Sequence, residues 1–327
     1  MYDENSPQPT QTDRPIFGLP VDTTMLFADK KGTYKKSLER KRTKLLEKVT
    51  FLRDFLDPDE KIVFVTTGCS PFSTLEALTI GHLWIQLIKR ALFVFTNKRI
   101  LHIPTTSNFQ YRNSVAQILY QDCRSLYYRG GALRVEYLTG KKEKFFSIPR
   151  CDGEIIKQIS IEAPEPAEPS TWPERNHLCP SCTHVLGAGR GTCPSCGLAF
   201  KTQADAVRYS LLFPGGGYFY TRHWGLGILD AIGESYLIAM LLVTLATAAF
   251  ADPSMVSVFV LVGGVLAVEK FLTVYHAKGF VAEFIPKRLP VQPVARNLPA
   301  EQSPAEQSPA APAPQREQTI EQVLSVR

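Results

Sequence analysis

Ser235 to Phe250 reads SYLIAMLLVTLATAAF and contains no charged residue. Ala251-Asp252-Pro253 interrupts it, and Ser254 to Val268, SMVSVFVLVGGVLAV, is again uncharged. A bilayer core takes about 20 mostly apolar residues per helix. Counted back from the interruption, residues 231–250 supply one span, with Glu234 as its only charge. Residues 254 to 272 or 273 supply a second. The stretch predicts an α-helical hairpin with both ends on one side of a membrane, and the rest of the chain reads as domains held at that surface.

The charges at the hairpin's margins carry two further expectations. Glu234 lies 18 residues before Asp252, and Lys270 lies 18 after it. In an antiparallel hairpin with a uniform helical rise they reach the same depth, so an intramembrane pair is expected. The alternative is that each head reaches the interface separately. Arg208, Arg222 and His223 precede the hairpin, Lys278, Lys287 and Arg288 follow it, and the turn has no basic residue. Positive flanks stay cytoplasmic, which predicts a multi-pass protein of the inner (plasma) membrane with both termini in the cytoplasm. Ahead of the first span, SLLFPGGGYFY (210–220) is too short to cross and is broken by Pro214 and three glycines. It is expected to be an interfacial or re-entrant lead-in within a hairpin domain spanning 206–278.

Cys179-Pro-Ser-Cys182 and Cys193-Pro-Ser-Cys196 form two C-x-x-C units ten residues apart. Four thiolates delivered by two tight turns suit tetrahedral Zn²⁺, and full coordination makes such an ion structural. Gly197 supplies a backbone free to turn toward sulfur. This unit, at 176–203, resembles a zinc ribbon of the C-P-x-C type. The three scattered cysteines suit a reducing compartment. Its only nearby cations are Arg190 and Lys201 with His177 and His184, too few to support nucleic-acid binding. The glycine-rich run at 187–191 lacks the strand and helix that would make it a nucleotide loop.

Residues 58–161 read as a small bent β-sheet or barrel closed by a C-terminal helix, giving an α+β multidomain chain. Strands are expected at 61–67, 91–96, 99–103, 116–120, 125–128, 133–137 and 143–148. Leu133, Val135 and Tyr137 alternate with Arg134 and Glu136. The helix runs from Asp152 to Ile161, with Ile155, Ile156 and Ile159 on one face. Ahead of this domain, residues 33–57 form a basic amphipathic helix. Residues 1–32 read as disordered, 162–175 as a stiff Pro-rich linker, and 286–327 as a disordered Pro/Ala/Gln-rich tail with EQSPA repeated at 301–305 and 306–310.

The strand order and the phrase ALFVFTNKRILHI (91–103) resemble the bacterial pleckstrin-homology-like domains. The run FPGGGYFYTRHWGLGILD (213–230) resembles the small two-transmembrane hairpin domains; that resemblance would count the lead-in at 207–221 as a third span. One departure is a long insert between the first two strands, Gly68 to Arg90. It reads either as extra strand or helix packed on the sheet, or as a membrane-lying or partner-docking element. Trp84, Lys89, Arg90, Lys98 and Arg99 are then the candidates for contact with lipid headgroups or a protein partner.

No Walker loop, HExxH or nucleophile elbow is present, and His102 sits alone in a strand. The expectation is a non-enzymatic integral membrane protein that presents the β module and zinc ribbon to the cytoplasm, for binding lipid or an unidentified protein. The alternative is a small transporter or channel assembled as a homo-oligomer of hairpins, for which Gly263-Gly264, Ala239 and Ala246 allow close helix packing.

Overall fold

The computed structural model describes residues 15–29, 32–162, 169–187 and 189–288. The tail repeats and the expected disorder of residues 1–14 lie outside the described residues. Residues 15–29 correct the reading of a disordered amino-terminal segment. Leu19, Val21 and Leu26 are buried, and Asp22 caps the short helix α1 (Thr23–Leu26) by accepting from the Thr24 N–H at 2.9 Å. The basic helix α2 (Lys36–Glu47) ends nearly three turns before the expected end at residue 57. The chain tightens into a 3₁₀ turn, Thr50–Asp54. Three residues per turn stack Val49, Leu52 and Phe55 on one buried face, a spacing that an α-helix would splay.

The next segment builds two sheets. Strand β1 (Ile62–Cys69) is followed by the helices α3 (Thr74–Thr79) and α4 (His82–Ile88). Then come β2 (Arg90–Thr96), β3 (Arg99–Pro104) and β4 (Val115–Leu119). A second sheet contains β5 (Cys123–Arg129), β6 (Ala132–Tyr137) and β7 (Lys142–Phe145), and helix α5 (Gly153–Glu162) closes the domain. These strands pair antiparallel with one another, and Val21 of the amino-terminal segment adds a parallel bridge to Ile62. The unbroken apolar run of β2 has a physical cause, because both faces of its sheet are covered. Leu92 and Val94 pack with Leu46, Leu52 and the amino-terminal segment. Phe93 and Phe95 pack with Leu133, Phe145 and the isoleucines of α5. A strand buried on both sides has no polar face to alternate with.

The cysteine-bearing segment is part of the first sheet. Its hairpin, β8 (Asn176–Leu178) and β9 (Val185–Leu186), extends the order to β1-β2-β3-β4-β8-β9, with Ala116 opposite His177. The second half of the expected linker is pinned as well, since Asp122 accepts from both the backbone N–H and the hydroxyl of Ser170 at 2.8 and 2.6 Å. At the other end, Pro286 bridges Phe200, and the Lys287 N–H donates to Ala199. The start of the expected tail is therefore ordered.

Four helices complete the fold: α6 (Gln203–Leu212), α7 (Gly216–Tyr220), α8 (Trp224–Phe250) and α9 (Val256–Val281). The helices over Trp224–Phe250 and Pro253–Val281 are long and apolar enough to cross a membrane, and only 11% and 6% of their most apolar windows is buried inside the protein. Neither is the core helix of a globular domain. The lead-in folds as α6 and α7 around Pro214, at ten and five residues both far short of a span. Gly215 is left-handed (φ +66°), and a Cβ there would stand 2.2 Å from the Gly227 carbonyl oxygen. A Cβ on Gly216 would meet the Tyr209 carbonyl at 2.1 Å. The glycines thus let α6, α7 and α8 approach backbone to backbone.

Candidate metal centre and the polar junction around it

The two C-P-S-C turns fold alike. In the first, the Cys179 N–H donates to the His184 carbonyl and the Thr183 N–H to the Cys179 carbonyl. In the second, the Cys193 N–H donates to Leu198 and the Gly197 N–H to Cys193. The residue after each pair is left-handed, Thr183 at φ +61° and Gly197 at φ +72°. Only the glycine announced this in sequence. Sγ of Cys179 and Cys196 lie 3.5 Å apart, Cys182 and Cys193 3.6 Å, and all four sulfurs fall within 4.8 Å of one another. A tetrahedral Zn²⁺ with Zn–S near 2.3 Å requires sulfurs about 3.8 Å apart. The donor set therefore fits a four-coordinate metal site with no open position. Leu186, Phe200 and Phe284 pack around it.

Beside this centre a buried polar junction joins β6, β7, β8 and the end of α9. Glu283, two residues past α9, accepts from Arg175 at 3.5 Å and from His177 at 3.3 Å. Arg175 also pairs with Glu143 at 3.1 Å, and Glu143 accepts from the Tyr137 hydroxyl at 2.8 Å. Burial alone would raise the Glu283 carboxyl, but Arg175 and His177 outweigh it and hold the group well below the usual carboxylate range. Arg175 likewise stays charged against its burial because Glu283 and Glu143 face it. Neither Arg175 nor Glu283 carried a signal in sequence. One lay in a Pro-rich stretch and the other past an apolar helix.

His102 is fully buried in this junction. Arg175 has only donors, so Nδ1 of His102 accepts at 3.3 Å, and Nε2–H donates to Ser70 Oγ at 2.9 Å. Burial first, then the adjacent guanidinium, push the imidazole down to about 3. Ser70 therefore faces a donor, and the pair lacks the proton acceptor that an activated serine needs.

The basic residues picked out for headgroup contact divide. Arg99 is buried, with Nε and NH2 on the two oxygens of Glu60 at 2.9 and 2.7 Å. Lys89 is bonded to Glu76 at 2.6 Å and to the Pro71 carbonyl at 3.1 Å. Neither presents its charge to a surface. Lys98 is half-exposed but flanked by Asp57 and Asp59, and Arg90 lies over the Phe109 ring. The apolar part of the insert is different. Leu78, Leu83 and Trp84 are 80%, 77% and 58% exposed. The first of the two helices, α3, docks on α9, with the Ser73 hydroxyl 3.0 Å from Tyr275 and Thr79 Oγ1 2.9 Å from His276 Nε2. Thr79 gives its proton to the Leu75 carbonyl, so the imidazole donates to it.

Lys270 Nζ lies 2.8 Å from Glu234 Oε2, and Glu234 is fully buried. Lys270 also donates to the Ser210 carbonyl at 2.8 Å, and Glu234 accepts from the Gly215 N–H at 3.1 Å. The pair thus closes exposed backbone groups at the break between α6 and α7. A cavity of about 670 Å³ opens between the ribbon, β7 and the end of α9, with Trp172, Arg190, Lys201 and Phe284 in its wall.

No family model, curated protein or solved structure matches the chain.

Proposed function

We propose that this is a non-enzymatic integral membrane protein whose α8–α9 hairpin fixes a pleckstrin-homology-like module and a structural zinc ribbon at the cytoplasmic face of the inner membrane, as a binding scaffold. One observation carries the reading. The two apolar helices are almost unburied along their length, yet their shared polar end is bonded into the folded domain through Glu283, His276 and Tyr275. Among the described residues little protein covers this hairpin, and a domain is clamped to one end. Seven strands followed by a helix support the resemblance of residues 58–161 to the pleckstrin-homology-like fold. The basic residues at that end and the absence of any basic residue from the turn support a cytoplasmic domain. The exposed leucines and Trp84 of α3 and α4 stand beside the end of α9, where a lipid surface would begin.

The natural thiol of Cys151 is exposed and gives a direct test. Membranes are washed with alkaline carbonate, and cells carrying Asp252→Cys are treated with an impermeant maleimide before and after they are opened, with peptide mapping of the label. The reading requires retention in the carbonate pellet, labelling at position 252 in intact cells, and labelling of Cys151 only after opening. Release by carbonate, or Cys151 labelled in intact cells, would overturn it.

A further inference from the structure

We propose that Asp230, Glu234 and Glu269 form a second metal site, which binds one divalent cation of the hard, oxygen-seeking class. The inference goes beyond anchoring. It rests on burial within the protein and holds whether or not the hairpin crosses a bilayer.

Asp230 and Glu234 stand one turn apart on α8, and Glu269 faces them from α9. A carboxylate oxygen from each lies within 4.8 Å of the other two. Three oxygens bound to one ion at about 2.1–2.4 Å cannot be farther apart than this. Convergence alone would not make a site, since acidic clusters occur without ions. The second observation concerns donors: the Glu234 and Glu269 carboxyls lie within hydrogen-bond reach of each other, and a shared proton or a cation is needed to bridge them. Among the described residues, four buried side-chain polar atoms have no hydrogen-bond partner, and two of them are Glu234 Oε1 and Glu269 Oε2. Glu234 is fully enclosed by protein. An ionised oxygen there without a donor or a cation is strongly unfavourable.

The remaining contacts show which atoms are already taken. Glu234 Oε2 accepts from Lys270 and Gly215, and Glu269 Oε1 accepts from the Thr273 hydroxyl at 2.8 Å. Thr273 Oγ1 also stands 3.2 Å from Asp230 Oδ2, but its one proton serves the closer Glu269. The orphan oxygens are left over once these donors are used. The charges agree with this. Three carboxylates and the Lys270 ammonium sum to −2, which one divalent ion neutralises. The donors are all oxygen, which favours Mg²⁺, Mn²⁺ or Ca²⁺ over zinc; the four thiolates of the ribbon favour zinc. The two centres are thus chemically distinct. Asp230 and Glu269 are only partly buried, so an ion has a way in.

The test uses the full-length chain in detergent, with zinc already loaded, titrated with Mn²⁺ while the free-ion electron paramagnetic resonance signal is followed. Wild type should retain one Mn²⁺ per chain. Asp230→Asn and Glu269→Gln should each weaken binding tenfold or more, and Asp252→Asn in the turn should leave it unchanged. Mn²⁺ should also raise the thermal midpoint of wild type and not that of Asp230→Asn, which separates lost binding from lost folding. No retained Mn²⁺ at millimolar concentration, or variants that bind as wild type does, would overturn the proposal; the orphan oxygens would then be satisfied by protons.

Discussion

Arg99→Met should destabilise the sheet domain without any direct effect on a lipid surface. In sequence, Arg99 follows Lys98 in a turn and reads as a headgroup contact. In the structure its guanidinium donates to both oxygens of Glu60, to the Phe55 carbonyl at 2.7 Å and to Gln117 Oε1. Glu60 is completely buried and accepts in addition from Thr96 at 2.7 Å. Burial pushes its carboxyl up, and the hydrogen bonds from Arg99 and Thr96 more than offset this and hold it below the ordinary value. Methionine fills much of the same volume but removes every donor, so Glu60 is left charged, enclosed and short of its main partner. Removing one member of a buried pair costs about 3–5 kcal/mol. At roughly 2–4 °C per kcal/mol, the midpoint of a domain this size should fall by about 6–20 °C. Thermal unfolding of the full-length protein in detergent, followed by near-ultraviolet circular dichroism, measures it. Glu60→Gln added to Arg99→Met should recover a substantial part, because the stranded charge is gone. A shift below about 2 °C, or vesicle binding lost at unchanged stability, would refute the argument and return Arg99 to the surface.

Cys182→Ser should reduce bound zinc from one per chain to none, read by metal analysis; because β8 pairs with β4, amide exchange at Val115–Gln117 should rise with it. Stability should be greatest above pH 6.5 and decline as pH falls toward 3, because unfolded His102 takes up a proton at its ordinary 6.5 and the folded form does not until about 3. The slope is about 1.4 kcal/mol per pH unit for that group, with His177 acting in the same direction, and a midpoint that is flat or rises from pH 7 to 5 in zinc-saturated buffer would contradict it. Lys270→Met should destabilise the hairpin by about 3–5 kcal/mol by stranding Glu234, and Glu234→Gln in the same chain should restore much of the loss. Strictly additive effects in that cycle would show that the two side chains act independently.

Periodicity and spacing reached the elements that follow from local geometry. The alternation around Val135 located β6 because one face of that sheet is wet. The equal spacing of Glu234 and Lys270 from Asp252 put them at one level because helices rise uniformly. The convergence of Glu269 on Asp230 and Glu234 depends also on how far each helix is rotated about its axis, which spacing leaves open. Arg42 belonged to a basic helix and Arg99 to the headgroup candidates, because a charge pattern cannot reveal a partner 110 or 39 residues away. The pairing of β8 with β4 was equally hidden. It is made by backbone groups, which every residue carries, so composition holds no trace of it.

That backbone pairing alters what the four-cysteine centre can be. A ribbon on a flexible linker would be an independent module, and its metal would stabilise only itself. Here Val115, Ala116 and Gln117 of β4 are opposite Leu178, His177 and Asn176, so the first sheet ends in the ribbon. The Lys201 N–H donates to Ile285 and the Lys287 N–H to Ala199, which ties the far side of the ribbon to the chain leaving α9. Glu283 lies between them on Arg175 and His177. The ribbon is therefore the piece through which the end of α9 is joined to the sheet. Releasing the metal should free both attachments together, so the domain would lose its fixed angle to the hairpin before either part unfolds.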